Sequence, residues 1–132
     1  MKSHNAKRWI TCVLVFLVSC SSPKESEKWC DNPGKKGWEV YTEIATQYPW
    51  YKVYSVAENV YAIYEPYNWQ AVISYLIVGS EKAILFDTGM GLDSIQSVVR
   101  QLTPLPISVI NSHTHYDHIG GNADFKTIYG VD

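Results

Sequence analysis

The stretch NSHTHYDHIGGN, residues 111 to 122, gathers three of the chain's four histidines and one aspartate within six positions. These side chains are His113, His115, Asp117 and His118. Imidazoles and carboxylates are typical zinc ligands, and they also suit iron or manganese. Because chance seldom places histidines so densely beside a Gly-Gly pair, the stretch predicts a metal site rather than scattered surface residues.

The spacing of these side chains indicates how they converge. If residues 113 to 117 are extended, alternation directs His113, His115 and Asp117 to one side of the chain. His118 can then turn inward, because the following glycines permit a tight turn. A catalytic zinc uses three protein ligands and keeps a position for water, and two ions about 4 Å apart can share and orient a hydroxide. We therefore expect two ions, one beginning at His113 and His115 and the other at Asp117 and His118.

The residues before this stretch predict antiparallel strands. Short runs rich in β-branched and aromatic residues alternate with turn residues, which is the pattern of hairpin-connected strands. Four such runs are present, at residues 50–56, 59–65, 71–78 and 82–87.

A helix and a fifth strand follow. In GLDSIQSVVRQL, residues 91 to 102, apolar residues recur at helical spacing. Asp93 and Gln96 resemble a capping box, and Thr103-Pro104 is expected to end the helix. The run ISVI, residues 107 to 110, predicts a buried strand. Strand, helix and strand then form an α/β crossover that places the histidine stretch at a carboxyl strand end, where open α/β sheets bind ligands.

The string HTHYDH, residues 113 to 118, resembles the signature of the metallo-β-lactamase superfamily of metallohydrolases. The resemblance continues upstream through ILFDTG, residues 84 to 89, and the strands from about Val53, so that it covers residues 53 to 132. It implies an αββα sandwich, of which this chain would hold the amino-terminal half only, as a partial domain over residues 50 to 132.

The resemblance also implies an activity and a site. It implies a binuclear zinc hydrolase in which a metal-bound hydroxide attacks a small-molecule substrate, with Asp117 as a catalytic residue. His113 and His115 would bind the first ion, and Asp117 and His118 the second. Asp87 would support the metal loop through hydrogen bonds. The remaining ligands would come from a carboxyl-terminal half or a partner chain, so we expect this chain to be an incomplete enzyme.

Two alternatives keep other functions open. Asp87-Thr88-Gly89 also resembles the aspartic protease motif, in which two carboxylates share a proton, and a homodimer could supply the second copy. The other alternative is a lipid-anchored module that binds metal through the histidine stretch without turnover.

The aromatic segment around Trp69 has two interpretations. In position it resembles a hairpin that flanks the active site in some superfamily members, so Trp69 could contact substrate. A hairpin tryptophan that packs on its own sheet is the simpler interpretation.

The amino terminus resembles the signal peptide of bacterial lipoproteins. Three basic residues precede the apolar run WITCVLVFLV (residues 9 to 18), and LVSC ends at Cys20. Ten apolar residues are too few to span a bilayer. The resemblance implies that residues 1–19 are removed and that a lipidated Cys20 holds the exported protein on a membrane of the bacterial cell envelope. Residues 20–49 are then expected to be a tether and an irregular approach to the domain.

Net charge and cysteine content limit the binding partners and disulfides that we expect. Cleavage before Cys20 removes three basic residues and no acidic one, so the formal net charge of −2 becomes more negative. We therefore expect no nucleic-acid partner. Cys12 would leave with the signal and Cys20 would carry lipid, which leaves Cys30 without a disulfide partner.

Overall fold

The computed structural model describes residues 37 to 130, which form a mixed α/β fold. The predicted signal peptide, the predicted lipidation site Cys20 and the tether as far as residue 36 lie outside the described residues. The strands are β1 (Thr42–Ile44), β2 (Lys52–Ala57), β3 (Val60–Tyr64), β4 (Ile73–Val78), β5 (Ala83–Phe86), β6 (Ile107–Ile110) and β7 (Ile128–Tyr129). The α-helices are α1 (Ile95–Leu102) and α2 (Tyr116–Ile119), and 3-10 turns occupy Trp38–Val40 and Asn122–Asp124.

One seven-stranded sheet follows the order of the chain. Strands β1 to β5 are antiparallel neighbours, whereas β5, β6 and β7 are parallel. The four predicted antiparallel strands are confirmed, with boundaries shifted by one or two residues. The predicted crossover is also confirmed, because α1 connects β5 to the parallel β6.

Two strands were not predicted from the sequence. The expectation of irregular structure through residue 49 is wrong for β1, which pairs with β2 and brings Ile44 opposite Val53. At the other edge, β7 is held by hydrogen bonds from Val109 N to Thr127 O (2.9 Å) and from Asn111 N to Tyr129 O (2.8 Å). Strands of two or three residues are too short to show an alternating pattern, so only pairing with their neighbours identifies them.

Helix α1 covers one face of the sheet. Its buried residues Ile95, Val98 and Val99 pack in one cluster with Leu85 and Val109 from the parallel strands. The spacing of the helix's apolar residues was therefore a sound predictor of its buried face. This packing holds α1 against β5 and β6. The histidine stretch begins at the carboxyl end of β6.

The predicted capping box of α1 is wrong. The helix begins at Ile95 and its N-cap is Ser94, whose Oγ accepts a hydrogen bond from Ser97 N at 3.3 Å. Asp93 lies one residue too early, and its Oδ1 accepts from Ser94 N at 2.7 Å. The end of the helix is as predicted, since Thr103 is extended and follows Leu102.

The opposite face of the sheet is covered only in part by the described residues. Trp38 packs edge-on against Tyr54, with ring centroids 5.0 Å apart. Over the later strands, apolar side chains of this face are exposed, among them Tyr75, Ile77 and Phe86. Within residues 37 to 130, no helix is both long and apolar enough to cross a membrane.

Candidate metal centre

Two loops meet where β5 and β6 end. Because these strands are parallel, their carboxyl ends lie at the same edge of the sheet, and Asp87 N donates to Ile110 O at 2.9 Å across that edge. The first loop contains Asp87 and the turn at residues 88 to 91. The second loop, residues 111 to 122, contains the four predicted metal ligands, and we call it the metal loop. The crossover therefore places both loops where the sequence predicted a ligand site.

The metal loop is extended only in its first part. His113 and His115 precede α2, but Asp117 and His118 lie within its single helical turn. The turn is closed by a hydrogen bond from His118 N to His115 O at 2.9 Å. The predicted extended conformation is therefore wrong for Asp117. A helical turn is favoured there because the Asp117 carboxylate lies near the free N–H groups of the first turn.

The four predicted ligands nevertheless lie together. The His113 ring centroid is 4.6 Å from that of His115 and 4.1 Å from that of His118. His118 Nε2 lies 3.6 Å from Asp117 Oδ2. Two ligand atoms bound to one tetrahedral zinc at ordinary bond lengths are about 3.4 Å apart. Asp117 and His118 are therefore spaced as two ligands of one ion are.

Asp87 lies beneath the metal loop and is 3% exposed. Its Oδ1 accepts from Ser112 N at 2.7 Å, and its Oδ2 accepts from Ser112 Oγ at 2.8 Å. The same Oδ2 lies 2.8 Å from His118 Nδ1. The residue has a φ of 64°, a conformation that aspartate tolerates better than most residues. Both carboxylate oxygens are thus engaged with the metal loop.

These contacts assign the protons on two imidazoles. A carboxylate accepts, so His118 Nδ1 donates to Asp87 and a neutral His118 keeps Nε2 free to bind a metal. The single proton of Ser112 Oγ goes to Asp87 Oδ2. Ser112 Oγ then accepts from His113 Nδ1, 2.9 Å away, which leaves His113 Nε2 free as well. One carboxylate therefore orients two of the predicted ligands.

The same contacts disagree with the aspartic protease alternative. In such an enzyme two aspartates share a proton at an open cleft. The Asp87 carboxylate is instead buried, with its oxygens bonded to Ser112 and His118 of its own chain. A second copy of the chain would have to displace these contacts before it could share a proton with Asp87.

A polar network that was not predicted from the sequence is hydrogen-bonded to the backbone of α2. It consists of Thr88, Asn111 and Asn122, and we call it the polar floor. Thr88 N donates to His118 O at 2.9 Å, and Asn111 Nδ2 reaches the same oxygen at 3.2 Å. Asn122 Nδ2 donates to Asn111 Oδ1 at 2.9 Å, and Thr88 Oγ1 donates to Asn122 Oδ1 at 2.9 Å. Their position was the available sequence signal, because Thr88 lies in ILFDTG and Asn111 and Asn122 are the first and last residues of the histidine stretch.

Glu65 is a further residue whose role was not predicted from the sequence. It follows β3 and is 1% exposed. Its Oε2 accepts from Trp50 Nε1 at 2.7 Å, and its Oε1 accepts from Met90 N at 2.9 Å. Burial raises the pKa of Glu65, and these two hydrogen bonds act in the opposite direction. An acidic residue at the end of an apolar strand was the signal that could have drawn attention to it.

Trp69 lies in the segment that approaches α2. Its side chain is 77% exposed, so it does not pack on its own sheet as the simpler interpretation required. The next residue, Gln70, donates through Nε2 to the hydroxyl of Tyr116 in α2. Tyr116 is itself 60% exposed. The segment therefore presents Trp69 on the surface close to the metal loop.

The donor set fits a zinc centre in its chemistry. It combines imidazoles whose free nitrogens are set by Ser112 and Asp87 with the Asp117 carboxylate. Among residues 37 to 130, no three His, Cys, Asp or Glu side chains are arranged to hold one ion together. The His118 Nε2 and Asp117 Oδ2 atoms lie at the spacing of two ligands of one ion, and the His113 ring packs against the rings of His115 and His118.

Comparison with known proteins identifies the family. The model of the metallo-beta-lactamase superfamily matches residues 67–132, which is half of the chain and includes the whole metal loop. The chain belongs to the metallo-beta-lactamase superfamily. A comparison with curated proteins found no match.

Solved structures with the same fold are metallo-beta-lactamases. One is the enzyme from Erythrobacter litoralis with beta mercaptoethanol in its active site, with a TM-score of 0.50 and 21% identity over 65% of this chain and 43% of that one. Another is the DIM-1 enzyme exposed to ceftazidime, with a TM-score of 0.51 and 16% identity over 65% of this chain and 45% of that one. At these identities the likeness shows the fold. The chain spans less than half the length of these structures.

Proposed function

We propose that the chain is the ligand-bearing part of a metal-dependent hydrolase with a binuclear zinc centre. The observation that carries this proposal is the arrangement of His118. Its Nδ1 is bonded to the buried Asp87, and its Nε2 lies at a ligand's distance from Asp117. A histidine fixed by a carboxylate on one nitrogen and free on the other is the usual form of a metal-binding histidine.

Each of the four residues has a proposed role. His113 and His115 would hold the first ion, and Asp117 and His118 would hold the second. Such ions, when bound, would activate water and polarise the bond that is broken. Asp117, whose carboxylate lies beside His118 Nε2, would be the catalytic residue that orients the attacking water. The proposed substrate is a small molecule with a carbonyl or phosphoryl centre.

Trp69 is the proposed substrate contact. It is exposed, and its neighbour Gln70 is hydrogen-bonded to Tyr116 beside the predicted ligands. An exposed aromatic ring next to a catalytic centre can bind the apolar part of a substrate. Substituting Trp69 should therefore change substrate affinity and leave metal binding as it is.

The remaining ligands are proposed to come from outside these residues. The matched structures extend well beyond the 43% and 45% of their length that this chain covers, so a carboxyl-terminal half or a partner chain could supply them. We further propose, from the lipoprotein-like sequence that ends at Cys20, that the protein is exported and lipid-anchored in the cell envelope.

Cobalt binding tests the proposed site directly. Co²⁺ can replace zinc and gives visible absorption bands that report its ligands. The full chain should bind Co²⁺, and Asp117→Ala and His118→Ala should each weaken binding by at least about tenfold. The matched control is Asp124→Asn, an exposed carboxylate in the same part of the chain, which should bind as the wild type does. A wild-type chain that binds no Co²⁺, or variants that bind it unchanged, would contradict the proposal.

A further inference from the structure

Glu65 is a buried carboxylate for which the proposed mechanism has no chemical step. Its two oxygens accept from two different parts of the chain, the Trp50 indole at 2.7 Å and the Met90 backbone at 2.9 Å. Both partners are neutral N–H groups. Burying a carboxylate costs free energy, and hydrogen bonds to it must offset that cost. A residue kept at such a cost needs a structural reason, and its position provides one.

The turn at residues 88 to 91 is built around this carboxylate. Gly89 has a φ of 68° and Gly91 a φ of 69°, which turns the Met90 amide toward Glu65. A Cβ at Gly89 would lie 1.8 Å from Glu65 Oε1. The carboxylate and the turn are thus in direct contact, and no larger residue fits between them.

The other side of the turn contacts the end of α2. Gly120 N donates to Gly89 O at 2.9 Å. A Cβ at Gly120 would lie 2.3 Å from the Met90 carbonyl carbon, so the two backbones are also in close contact. Gly120 comes two residues after His118. A displacement of the turn would therefore move the helical turn that carries Asp117 and His118.

We propose that Glu65 is a positioning residue for the metal centre. Its carboxylate fixes the turn at residues 88 to 91, and this turn fixes the end of α2 and hence Asp117 and His118. The inference rests on the proposed function, which makes these two residues metal ligands. A carboxylate suits this role better than an amide, because two N–H donors approach it and an amide offers only one acceptor atom.

Hydrogen exchange of the metal-free full chain tests the positioning role. Glu65→Ala and Glu65→Gln should speed exchange of the Gly120 amide by about tenfold or more, although Gly120 does not contact Glu65 through a hydrogen bond. The Ala62 amide in β3 should exchange as in the wild type. The matched control is Glu81→Gln, an exposed glutamate, which should change neither amide.

If Glu65→Ala does not fold, a double variant based on Glu65→Gln can still test the positioning role. In Glu65→Gln the new NH₂ group faces one of two N–H donors. Trp50→Phe removes the indole donor, so the double variant W50F/E65Q should recover most of the Gly120 protection that E65Q alone loses. An unchanged Gly120 amide in E65Q, or equally faster exchange at Gly120 and Ala62, would overturn the proposal.

Cobalt spectra separate this inference from the proposed function. If the wild type binds Co²⁺, E65Q should weaken binding and alter the visible bands, and W50F/E65Q should restore them. A wild type that binds no Co²⁺ contradicts the proposed function, while the exchange result still decides whether Glu65 fixes α2. Normal Co²⁺ bands in E65Q would overturn the positioning role while leaving the proposed function intact.

Discussion

The metal loop has two sides that differ in how many hydrogen bonds their residues make to the rest of the fold. On the side that faces the sheet, Asp87 and the polar floor hold Ser112, His118 and the end of α2 through hydrogen bonds of 2.7 to 3.2 Å. On the outer side, His115 and Tyr116 are exposed. On the side that faces the sheet, hydrogen bonds to Ser112 and Asp87 thus orient the predicted ligands His113 and His118 without an ion. A prearranged site loses less free energy to reorganisation when it binds.

The largest expected loss of stability comes from substituting Asp87, on the side of the metal loop that faces the sheet. Asp87→Ala leaves Ser112 N, Ser112 Oγ and His118 Nδ1 without their acceptor, and it places alanine at a φ of 64°. We expect a loss of about 3 kcal/mol in the free energy of unfolding, measured with urea. Asp87→Asn keeps one acceptor and should lose less. Unfolding of Asp87→Ala at the wild-type urea concentration would show that Asp87 does not support the loop.

The next effect tests the contact between the two loops. Gly120→Ala places a Cβ 2.3 Å from the Met90 carbonyl, and backbone must move to admit it. We expect a loss of about 1–3 kcal/mol, together with weaker Co²⁺ binding. Gly130→Ala is the matched control, because a Cβ there meets nothing within 4 Å. Equal stability of the two variants would argue against close contact between the loops.

The two sides also differ in how far the sequence predicted them. His113, His115, Asp117 and His118 were predicted to be ligands because they form a dense string. The helical turn that contains Asp117 and His118 was not predicted. Period-2 alternation does not distinguish an extended segment from one that turns at Tyr116. Of the residues on the side that faces the sheet, Asp87 was expected beneath the metal loop from the resemblance, whereas the contact of Glu65 with the turn was not predicted. Glu65 and Met90 are 25 positions apart, and only the pairing of strands brings them together.

A smaller effect concerns the pH dependence of stability. Burial raises the pKa of Glu65 in the folded chain above its ordinary value of 4.5. The folded chain then holds this proton at a pH where the unfolded chain has lost it. Stability from this group is therefore greatest below pH 4.5 and falls as the pH rises toward the folded pKa.

Urea unfolding at several pH values measures this effect. Within that window the wild type should lose up to about 1.4 kcal/mol per pH unit relative to Glu65→Gln, which has no proton to lose. Parallel pH profiles for the two proteins would show that ionisation of Glu65 does not affect stability.

The smallest effect on the metal loop is expected from the proposed lipid anchor. Cys20→Ala should abolish acylation and release the protein from the membrane fraction, because lipid provides the proposed attachment. Cys30→Ala should remain acylated. Neither substitution should alter urea unfolding or Co²⁺ binding. Continued acylation of Cys20→Ala would contradict the proposed lipidation site.

The most direct test of the metal centre is nitrogen-15 NMR of the histidine side chains during a zinc titration. We predict that His118 carries its proton on Nδ1 without metal, and that zinc shifts the Nε2 signals of His113 and His118. In the uncleaved chain, His4, which is far from the metal loop in sequence, should not respond. A His118 protonated on Nε2, or zinc-induced shifts that spare both His113 and His118, would contradict a metal centre prearranged by Asp87.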